Sequence, residues 1–266
     1  MESNLCIILI TTHKETLSTQ EEASLKQCYS ILKKHPIRLI CPLGINVSNY
    51  LKIIPEAQFE FIDSKWTSNI YMFNRLLILP LLYKKFNRYQ YILFYELDAW
   101  VFRDDLEYWC NKDYDYIGAP WFEGWGTPSP NAKFIGIGNG GFSLRKVNSH
   151  LKALNSFSYV IKPKELIKIF QANKSIRGFF NLVKNLTISN NTYKWFNDCF
   201  MNHDIFWGMI VADNFKWFKL PSIEEALSFS VETKPSKFIT APDKLPFGCH
   251  AWAKYEPEFW KNYIKT

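Results

Sequence analysis

Short apolar runs alternate with amphipathic stretches over the first third of the chain, and this pattern predicts strands separated by helices. Three apolar runs, residues 5–12, 37–41 and 91–95, and one stretch of alternating polarity, residues 57–63, have the length of a strand. Strands that alternate with helices predict a mostly parallel, Rossmann-like sheet with helices on both faces. The pattern therefore predicts the α/β class.

Two helices are predicted between these strands. Ser18 is followed three residues later by Glu21, which is the spacing of a capping box, and the helical pattern continues to about Lys34. Residues 69–86 predict a second helix. Pro80 should kink or divide this helix, because proline has no amide hydrogen to donate within it.

The alternation of strand and helix patterns ends after residue 113. Residues 114–146 are rich in glycine, proline and aromatic residues, which favours irregular structure with a short strand. Residues 150–200 are basic and predict helices, and residues 202–213 predict one more helix.

The length and continuity of the chain bear on its domain organisation. A chain of 266 residues is long enough to bury a sizeable core. No internal repeat, low-complexity tract or linker interrupts it. We therefore expect a single domain, residues 1–266, with a first half 1–113 and a second half 114–266.

Two carboxylates, Glu96 and Asp98, follow the apolar run 91–95 directly. Alternate side chains of a strand share a face, so both carboxylates can point at one ion. Burial of charge is costly unless the charge is paired or binds a metal, and Mg²⁺ and Mn²⁺ prefer carboxylate oxygens. Thr12 and Asp63 also lie at strand ends, where ligands of such sheets bind.

Three later features can each serve structure or function. Gly138, Gly140 and Gly141 allow a tight turn or a close approach of the backbone to a ligand. Asp204, with Asn202, stands where a helix should start, and is either a helix cap or a functional carboxylate. A late histidine, at position 250, is either a packed side chain or a ligand.

Composition adds three constraints. Aromatic residues make up 17% of the chain, which favours a large core and a cleft that binds sugars. The six cysteines are scattered without a C-x-x-C pair, so we expect reduced thiols in a cytoplasmic protein. The first residues lack the basic start and long apolar run of a signal peptide, and no stretch has the length of a membrane span.

Basic residues are concentrated in one segment. The net charge is +7, and residues 161–194 contain seven Lys or Arg residues against Glu165 alone. This segment predicts either a solvated helix face or attraction to an anionic surface or substrate, such as a membrane leaflet or a diphosphate-linked lipid. There is no helix-turn-helix, zinc-finger or RNA-binding signature, so we expect no nucleic-acid partner.

The order of these features resembles that of the nucleotide-sugar glycosyltransferases of the GT-A fold. An acid-x-acid motif, a glycine loop, an acid that opens a helix and a late histidine resemble the D-x-D motif, glycine loop, x-E-D motif and metal-binding histidine of that fold. The stretches YQYILFYELDAWVFRDDLEYWC, YDYIGAPW and GNGGFSLRKV are similar to a bacterial family of GT-A-like transferases found with capsule and O-antigen genes. The resemblance covers residues 5–252. It departs at Glu96, where Asp is common, and at His203, where the x-E-D motif has Glu.

The resemblance implies a metal-dependent transferase that moves a sugar from a nucleotide-sugar donor to a glycan acceptor. It implies that Asp98, His250 and Glu96 hold Mn²⁺ or Mg²⁺, and that Asp204 is the general base of an inverting displacement. Residues at the strand ends, in the helix 69–86 and in the glycine loop would contact the donor: Thr12, Asp63, Asn74, Arg75, Asp98, Gly140 and Gly141. Four tryptophans are candidate faces for stacking on the acceptor sugar: Trp121, Trp125, Trp207 and Trp252.

The same resemblance gives expectations for partners and setting. The first half would bind the nucleotide, and the second half, with a basic helical insertion at about 150–200, would bind the acceptor. The donor expected is a UDP-hexose, with galactose as pyranose or furanose, and the acceptor a glycan or lipid-linked glycan of a bacterial surface polysaccharide. We expect a cytoplasmic protein whose segment 160–195 contacts the inner face of the membrane.

Two other function classes remain open on the sequence. A metal-dependent phosphohydrolase or nuclease would also use carboxylates and histidine, although two-metal sites need a denser cluster. A non-catalytic carbohydrate-binding protein could be built on a transferase fold.

Overall fold

The computed structural model describes residues 5–199 and 201–265. The strands, in chain order, are β1 (Cys6–Thr11), β2 (Ile37–Pro42), β3 (Gln58–Ile62), β4 (Tyr91–Tyr95), β5 (Trp100–Val101), β6 (Tyr116–Ile117), β7 (Pro120–Phe122), β8 (Phe134–Ile137), β9 (Phe142–Lys146), β10 (Ser230–Val231) and β11 (Gly248–Cys249).

The α-helices are α1 (Thr19–Leu32), α2 (Ser48–Leu51), α3 (Ile70–Leu76), α4 (Pro80–Lys85), α5 (Leu106–Asn111), α6 (Val147–Leu154), α7 (Pro163–Ala172), α8 (Ile176–Lys184), α9 (Thr192–Asp198), α10 (His203–Ile205), α11 (Ala212–Asn214), α12 (Ile223–Phe229), α13 (Pro235–Phe238) and α14 (Pro257–Trp260). Short 3₁₀ helices cover Ser64–Thr67 and Pro242–Lys244, and π-helical turns cover Asn185–Ser189 and Phe206–Val211.

A six-stranded sheet forms the centre of the fold, with the strand order β3-β2-β1-β4-β9-β6. The first four of these strands are parallel, and β9 pairs antiparallel with both β4 and β6. The order reverses between β1 and β4, because β2 and β3 extend the sheet to one side of β1 and β4 lies on the other. Ligands of open α/β sheets bind at such a point, outside the carboxyl ends of the strands. The predicted α/β class with a mostly parallel sheet is confirmed.

Side chains of the central strands alternate between two cores, one on each face of the sheet. Ile8 and Leu93 face a core that includes side chains of α1 and α5. Ile7 and Ile92 face a second core that includes α4 and the π-helical turn after α10. Because both faces are covered, every residue of β4 is buried, which explains its continuous apolar sequence.

The start signals of the first helices are found where the sequence predicted them. The Ser18 hydroxyl accepts a hydrogen bond from the Glu21 amide, and the Glu21 carboxylate accepts one from the Ser18 amide. Pro80 divides the predicted helix 69–86 into α3 and α4. It occupies the first turn of α4, where its missing amide hydrogen costs no intrahelical hydrogen bond.

The second half of the chain contains the predicted helices. The basic segment forms α7, α8 and α9, and residues His203–Asn214 form one continuous helix from α10, the π-helical turn and α11. A Cβ atom on Gly208 would lie 2.0 Å from the carbonyl oxygen of Ile137, so the π-helical turn packs directly against the end of β8. The six cysteines are buried and free. In the described part of the chain, no helix has the length and apolar character to cross a membrane.

His150, in α6, should make the stability of the fold sensitive to acid. It is fully buried, its Nδ1 donates to the Lys146 carbonyl oxygen at 2.9 Å, and its Nε2 has no hydrogen-bond partner. Burial, and then the charge of Arg145, lower the pKa of His150 well below its usual value. The unfolded chain therefore binds a proton that the folded chain does not. We expect the free energy of unfolding to fall below about pH 6.5, by up to about 1.4 kcal/mol per pH unit.

Urea unfolding at a series of pH values checks this expectation. His150→Phe keeps a ring stacked against Tyr83 and should make the pH dependence shallower by about one proton. His13→Phe, at an exposed position, is the matched control and should leave the dependence unchanged. An equal pH dependence in the wild type and in the His150 variant would contradict the prediction.

Candidate active site

The acidic motif lies in a turn directly after β4. The amide of Glu96 donates to the carbonyl oxygen of Gly141 at 2.8 Å, and the amide of Ala99 donates to the carbonyl oxygen of Glu96 at 2.9 Å. Residues 97 and 98 form the turn itself. The turn, rather than the alternation of side chains along a strand, therefore brings the two carboxylates together.

His250 meets both carboxylates. Its Nε2 lies 3.0 Å from Oδ1 of Asp98 and 3.5 Å from Oε2 of Glu96. One ligand atom from each of the three residues lies within 4.8 Å of the other two. His250 follows β11, which pairs antiparallel with β5, the strand after the acidic turn. This pairing carries the histidine from the end of the chain to the acidic motif. We call Glu96, Asp98 and His250 the ligand trio.

Glu232 is a site residue that the sequence did not predict. Its Oε1 lies 3.3 Å from Nδ1 of His250. A carboxylate at this nitrogen keeps the proton there, so that Nε2 can present its lone pair to a ligand. Glu232 follows β10, and only the parallel pairing of β10 with β11 places it beside the histidine. No local sequence signal marks that pairing.

The charges of the trio depend on one another. Burial disfavours a charged imidazole, but the charge of Asp98 and the contacts with Glu232 and Glu96 outweigh it and raise the pKa of His250 well above its usual value. Burial would likewise raise the pKa of Asp98, but the charge of His250 outweighs it and lowers this pKa. The arrangement therefore favours a positive charge between these groups, whether a proton or a metal ion.

The donor set of the trio fits Mn²⁺ or Mg²⁺. Two carboxylates and one imidazole are suitable ligands for these ions, and leave coordination positions for a phosphate or water. Nε2 of His250 is buried and makes no hydrogen bond of good geometry, although carboxylate oxygens lie close to it. Within residues 5–199 and 201–265, the trio is the one group of three or more His, Cys, Asp or Glu side chains that could hold a metal.

Two histidine rings pack so closely against Gly140 and Gly141 that there is no space for a Cβ atom at either position. A Cβ atom on Gly141 would lie 2.1 Å from Nε2 of His250, and one on Gly140 would lie 2.1 Å from Cε1 of His203. Neither residue has a positive φ, so the requirement is for space rather than for a left-handed backbone. The glycine pair therefore lets the two histidines approach the same stretch of backbone.

Asp204 contacts the first glycine of the pair, whereas the trio contacts the second. The amide of Gly140 donates to its Oδ2 at 3.3 Å, and the amide of Ile205 donates to its Oδ1 at 2.8 Å. Burial raises the pKa of Asp204 to about 6, against the lowering effect of these hydrogen bonds and of the Arg145 charge. A carboxyl group with a pKa near neutrality is suited to accept a proton from a substrate.

A fully buried guanidinium, Arg145, supports the helix start that carries Asp204. It donates to Nδ1 of His203 at 2.9 Å and to the Tyr83 hydroxyl at 3.1 Å, and lies 4.0 Å from the ring centroid of Phe94. Burial, and then the charge of Arg145, lower the pKa of His203 well below its usual value, so its ring is neutral. Because Arg145 can only donate, Nδ1 of His203 accepts, and Nε2 carries the ring proton.

A cavity of about 540 Å³ opens beside the ligand trio, at the carboxyl ends of β1 and β4. This volume is typical of small-molecule sites. Its walls come from the strand ends, the start of α3 and the acidic turn, and include Thr12, His13, Lys14, Asn69, Phe73 and Asp98. The cavity thus lies at the reversal of strand order.

Two of the predicted donor residues make hydrogen bonds within the protein framework. The side chain of Asn74 accepts from the His203 amide at 2.8 Å, which fixes the start of α10. Arg75 donates to the carbonyl oxygen of Phe196 and ties α3 to α9. Neither residue lines the cavity. Both hold neighbouring elements in position, and their role as donor contacts stays a prediction.

Of the other predicted donor residues, Thr12 lines the cavity and Asp63 does not. Thr12 lines the cavity, and its hydroxyl is hydrogen-bonded to that of Tyr50. Asp63 lies outside the cavity, is exposed, and caps a 3₁₀ helix by accepting from the Lys65 amide at 2.9 Å. The glycine pair borders the ligand trio, as described above.

Two of the four predicted sugar-stacking tryptophans are core residues. Trp207 is fully buried, and its indole N–H donates to the Leu77 carbonyl oxygen at 3.2 Å. Trp252 is 7% exposed and packs edge-on against Trp100. Both side chains are buried, and their role in stacking on a sugar stays a prediction.

Trp121 and Trp125 lie together near the glycine loop. Their ring centroids are 5.5 Å apart, and Trp125 is 44% exposed whereas Trp121 is buried. A Cβ atom on Gly138 would lie 3.3 Å from the ring of Trp121 and 3.4 Å from the carbonyl oxygen of Asp204. This pair of rings therefore lies on the Asp204 side of the site.

The family model described as "Protein of unknown function (DUF5672)" matches residues 56–250. A comparison with curated proteins gives no match.

Solved structures with a similar course of the chain include three glycosyltransferases. The apo form of the glycosyltransferase GlyE of Streptococcus pneumoniae TIGR4 is 12% identical, with 98% of this chain and 60% of that chain covered and a TM-score of 0.46. Apo mouse xyloside xylosyltransferase 1 is 10% identical, with 92% and 96% covered and a TM-score of 0.46. The apo bifunctional glycosyltransferase WbbM is 14% identical, with 95% and 46% covered and a TM-score of 0.46. The chain thus spans 60% of the length of the pneumococcal protein.

The glycine pair gives a direct test of the site geometry. Gly141→Ala places a methyl group against the His250 ring and should lower the free energy of unfolding by about 1–3 kcal/mol, as overpacking does. Gly136→Ala is the matched control, because its new Cβ atom would meet nothing closer than 3.5 Å. Urea unfolding of both variants measures the difference. Equal stability of the two variants would contradict the close approach of His250 to Gly141.

Proposed function

The chain belongs to the family described as "Protein of unknown function (DUF5672)", and we propose that it is a metal-dependent glycosyltransferase with a nucleotide-sugar donor. One observation carries the proposal. The ligand trio and Asp204 flank the same glycine pair, and the trio borders a cavity of about 540 Å³ at the reversal of strand order. A cation site, a carboxylate base and a cavity for a nucleotide are the parts that this reaction needs.

The ligand trio would hold the donor through its diphosphate. A bound Mn²⁺ or Mg²⁺ would neutralise the diphosphate and the charge that develops on it as it leaves. Glu232 would keep Nε2 of His250 free for the ion by holding the proton on Nδ1. The nucleoside would occupy the cavity past Thr12, and the glycine pair would allow the donor sugar to approach the backbone.

Asp204 would act on the acceptor. Its carboxylate takes the proton of the acceptor hydroxyl as that oxygen bonds to the anomeric carbon. The bond from the anomeric carbon to the diphosphate oxygen breaks, and the electron pair leaves with the nucleoside diphosphate. A single displacement of this kind inverts the anomeric configuration. The support for this role is the contact of Asp204 with the same glycine pair that the trio contacts, together with its pKa of about 6.

The sequence resemblance is the basis for a more specific proposal about the donor and the acceptor. We propose a UDP-hexose donor, with galactose as pyranose or furanose, and a glycan or lipid-linked glycan acceptor in bacterial surface polysaccharide synthesis. Trp125, with Trp121 behind it, is the ring face available to an acceptor sugar. The proposed enzyme is one domain that works in the cytoplasm, with the nucleotide in the half 1–113 and the acceptor in the half 114–266.

A metal-dependent phosphohydrolase is less well supported. Two-metal hydrolases place further carboxylates or histidines around the first cluster. Among the residues that the structure describes, a single three-residue cluster is found, and Asp204 is not one of its members. Donor hydrolysis, rather than general phosphate release, is therefore the expected side reaction.

Removal of the metal ligands tests the donor half of the proposal. We expect wild type with Mn²⁺ to hydrolyse one nucleotide sugar of a panel slowly, and Asp98→Asn or His250→Gln to lose this activity. Glu232→Gln should weaken Mn²⁺ binding by about 10- to 100-fold, measured by calorimetry, because it no longer orients the histidine. Asp63→Asn, outside the cavity, is the control that should keep activity. Phosphate release that is independent of the sugar would favour a hydrolase, and sugar binding without hydrolysis would favour a binding protein.

Replacement of the base tests the acceptor half. Asp204→Asn should lower the transfer rate by about 10²- to 10⁴-fold and leave donor affinity within a few-fold of wild type. Because the base must be ionised, wild-type kcat/KM should rise with pH through about 6 and then level off, and the variant should lack this rise. Asp213→Asn, at an exposed position in α11, is the matched control. Full activity of the Asp204 variant would exclude its role as base.

A further inference from the structure

One side of α8 presents apolar side chains to solvent. Ile176, Phe179, Phe180 and Val183 are spaced as i, i+3, i+4 and i+7, so they share one face of the helix. Each of the four side chains is at least 42% exposed, and Ile176 reaches 82%. We call these four residues the α8 face. Further exposed aliphatic residues occur in α7 and in the π-helical turn after α8, namely Ile167, Ile169 and Ile188.

The rest of the chain covers the α8 face only in part: Phe179 meets the ring of Phe170 in α7 edge-on, with centroids 6.1 Å apart, and still stays 51% exposed. The helix packs on α7 around Gly178, where a Cβ atom would lie 3.5 Å from the ring of Phe170. No residue of α8 is buried. Isolated exposed apolar residues are normal on protein surfaces, but a contiguous group of large ones marks an interaction site.

Basic side chains surround this face. The segment 161–194 contains seven Lys or Arg residues and one acid, Glu165. Lys174, Arg177 and Lys184 lie in α8 or directly before it and are exposed. The described residues include one ion pair in this segment, Lys194 with Asp198, so the charges near α8 are not neutralised by acids of the chain. The occupant of the face should therefore be apolar in its interior and negative at its surface.

A bilayer with anionic headgroups has this chemistry, and we propose that the α8 face docks the protein on such a membrane. The apolar side chains would enter the boundary between headgroups and acyl chains, and the Lys and Arg side chains would contact the phosphates. A second copy of the chain fits less well, because it would bring an equally basic segment against this one. The proposal does not rest on the reaction proposed above, since it concerns binding alone.

The helix α8 is joined to the rest of the fold through α9. The hairpin of α7 and α8 leads into α9, whose Phe196 is buried in the core and whose carbonyl oxygen there accepts from Arg75. Asp204 follows α9 closely in the chain. The α8 face is thus joined through α9 to the segment that carries Asp204, the proposed base.

Flotation with lipid vesicles tests the proposal. We expect the full chain to bind vesicles that contain phosphatidylglycerol, and to bind pure phosphatidylcholine at least tenfold more weakly. The triple variant Lys174→Gln, Arg177→Gln, Lys184→Gln should lose about 100-fold in affinity, at about fivefold for each basic residue removed. Binding of the wild type should also weaken as salt is added. The control is Lys52→Gln, Lys133→Gln and Lys216→Gln, exposed positions outside the segment, which should change affinity little.

A second pair of variants tests insertion of the apolar face. Ile176→Ser with Phe180→Ser should lose at least tenfold in affinity, whereas Leu43→Ser with Leu81→Ser, equally exposed elsewhere, should bind as wild type does. Because the native cysteines are buried, Phe180→Cys can carry a polarity-sensitive dye, whose emission should shift to the blue on vesicles. The dye on Leu81→Cys should not shift. Circular dichroism of each variant checks that it is folded.

Four results would overturn the proposal. They are no binding to anionic vesicles, equal binding to neutral vesicles, equal loss in the control variants, and binding that persists unchanged at high salt. Sedimentation that shows a dimer broken by the Ile176 and Phe180 substitutions, without vesicle binding, would assign the face to a second copy instead.

Discussion

The close contact of two histidines with the Gly140–Gly141 backbone is the constraint on which the site depends. The amide of Gly140 holds Asp204, and the carbonyl of Gly141 holds the turn that carries the two acidic ligands. His250 and His203 reach these groups only because no Cβ atom stands between them. One short piece of backbone at the start of β9 therefore sets the separation between the proposed metal site and the proposed base. A change of a single methyl group there would disturb both.

The site is assembled from strands that meet at one edge of the sheet. The carboxyl ends of β1 and β4 open the cavity, and the antiparallel β9 returns the glycine pair to the same edge. The small sheet β10-β11-β5 then brings Glu232 and His250 from late in the chain. The parallel strands of the central sheet form the edge at which the cavity opens, and the later pairings of β9, β10 and β11 bring the remaining side chains to it.

Local sequence patterns predicted the elements of the first half well, because both faces of the parallel sheet are covered and the central strands β1 and β4 are largely continuous apolar runs. The approach of Asp98 to His250 was expected from the resemblance, and the distance of 3.0 Å agrees with it. Glu232 was missed because its position depends on a pairing of two-residue strands that has no local signal. The core position of Trp207 could not be predicted, because aromatic residues have the same sequence appearance in a core and in a cleft. The single domain and the roles of its two halves stay predictions.

Arg145 and His203 have a consequence for engineering of the site. A buried cation usually requires a carboxylate, whereas here the guanidinium is satisfied by a neutral imidazole, a phenol and a serine hydroxyl. A glutamate at position 203 would convert this neutral contact into a buried ion pair. It would offset the positive charge of Arg145, which lowers the pKa of the neighbouring Asp204. Positions 145 and 203 are therefore one design unit, and an exchange at either position should be accompanied by an exchange at the other.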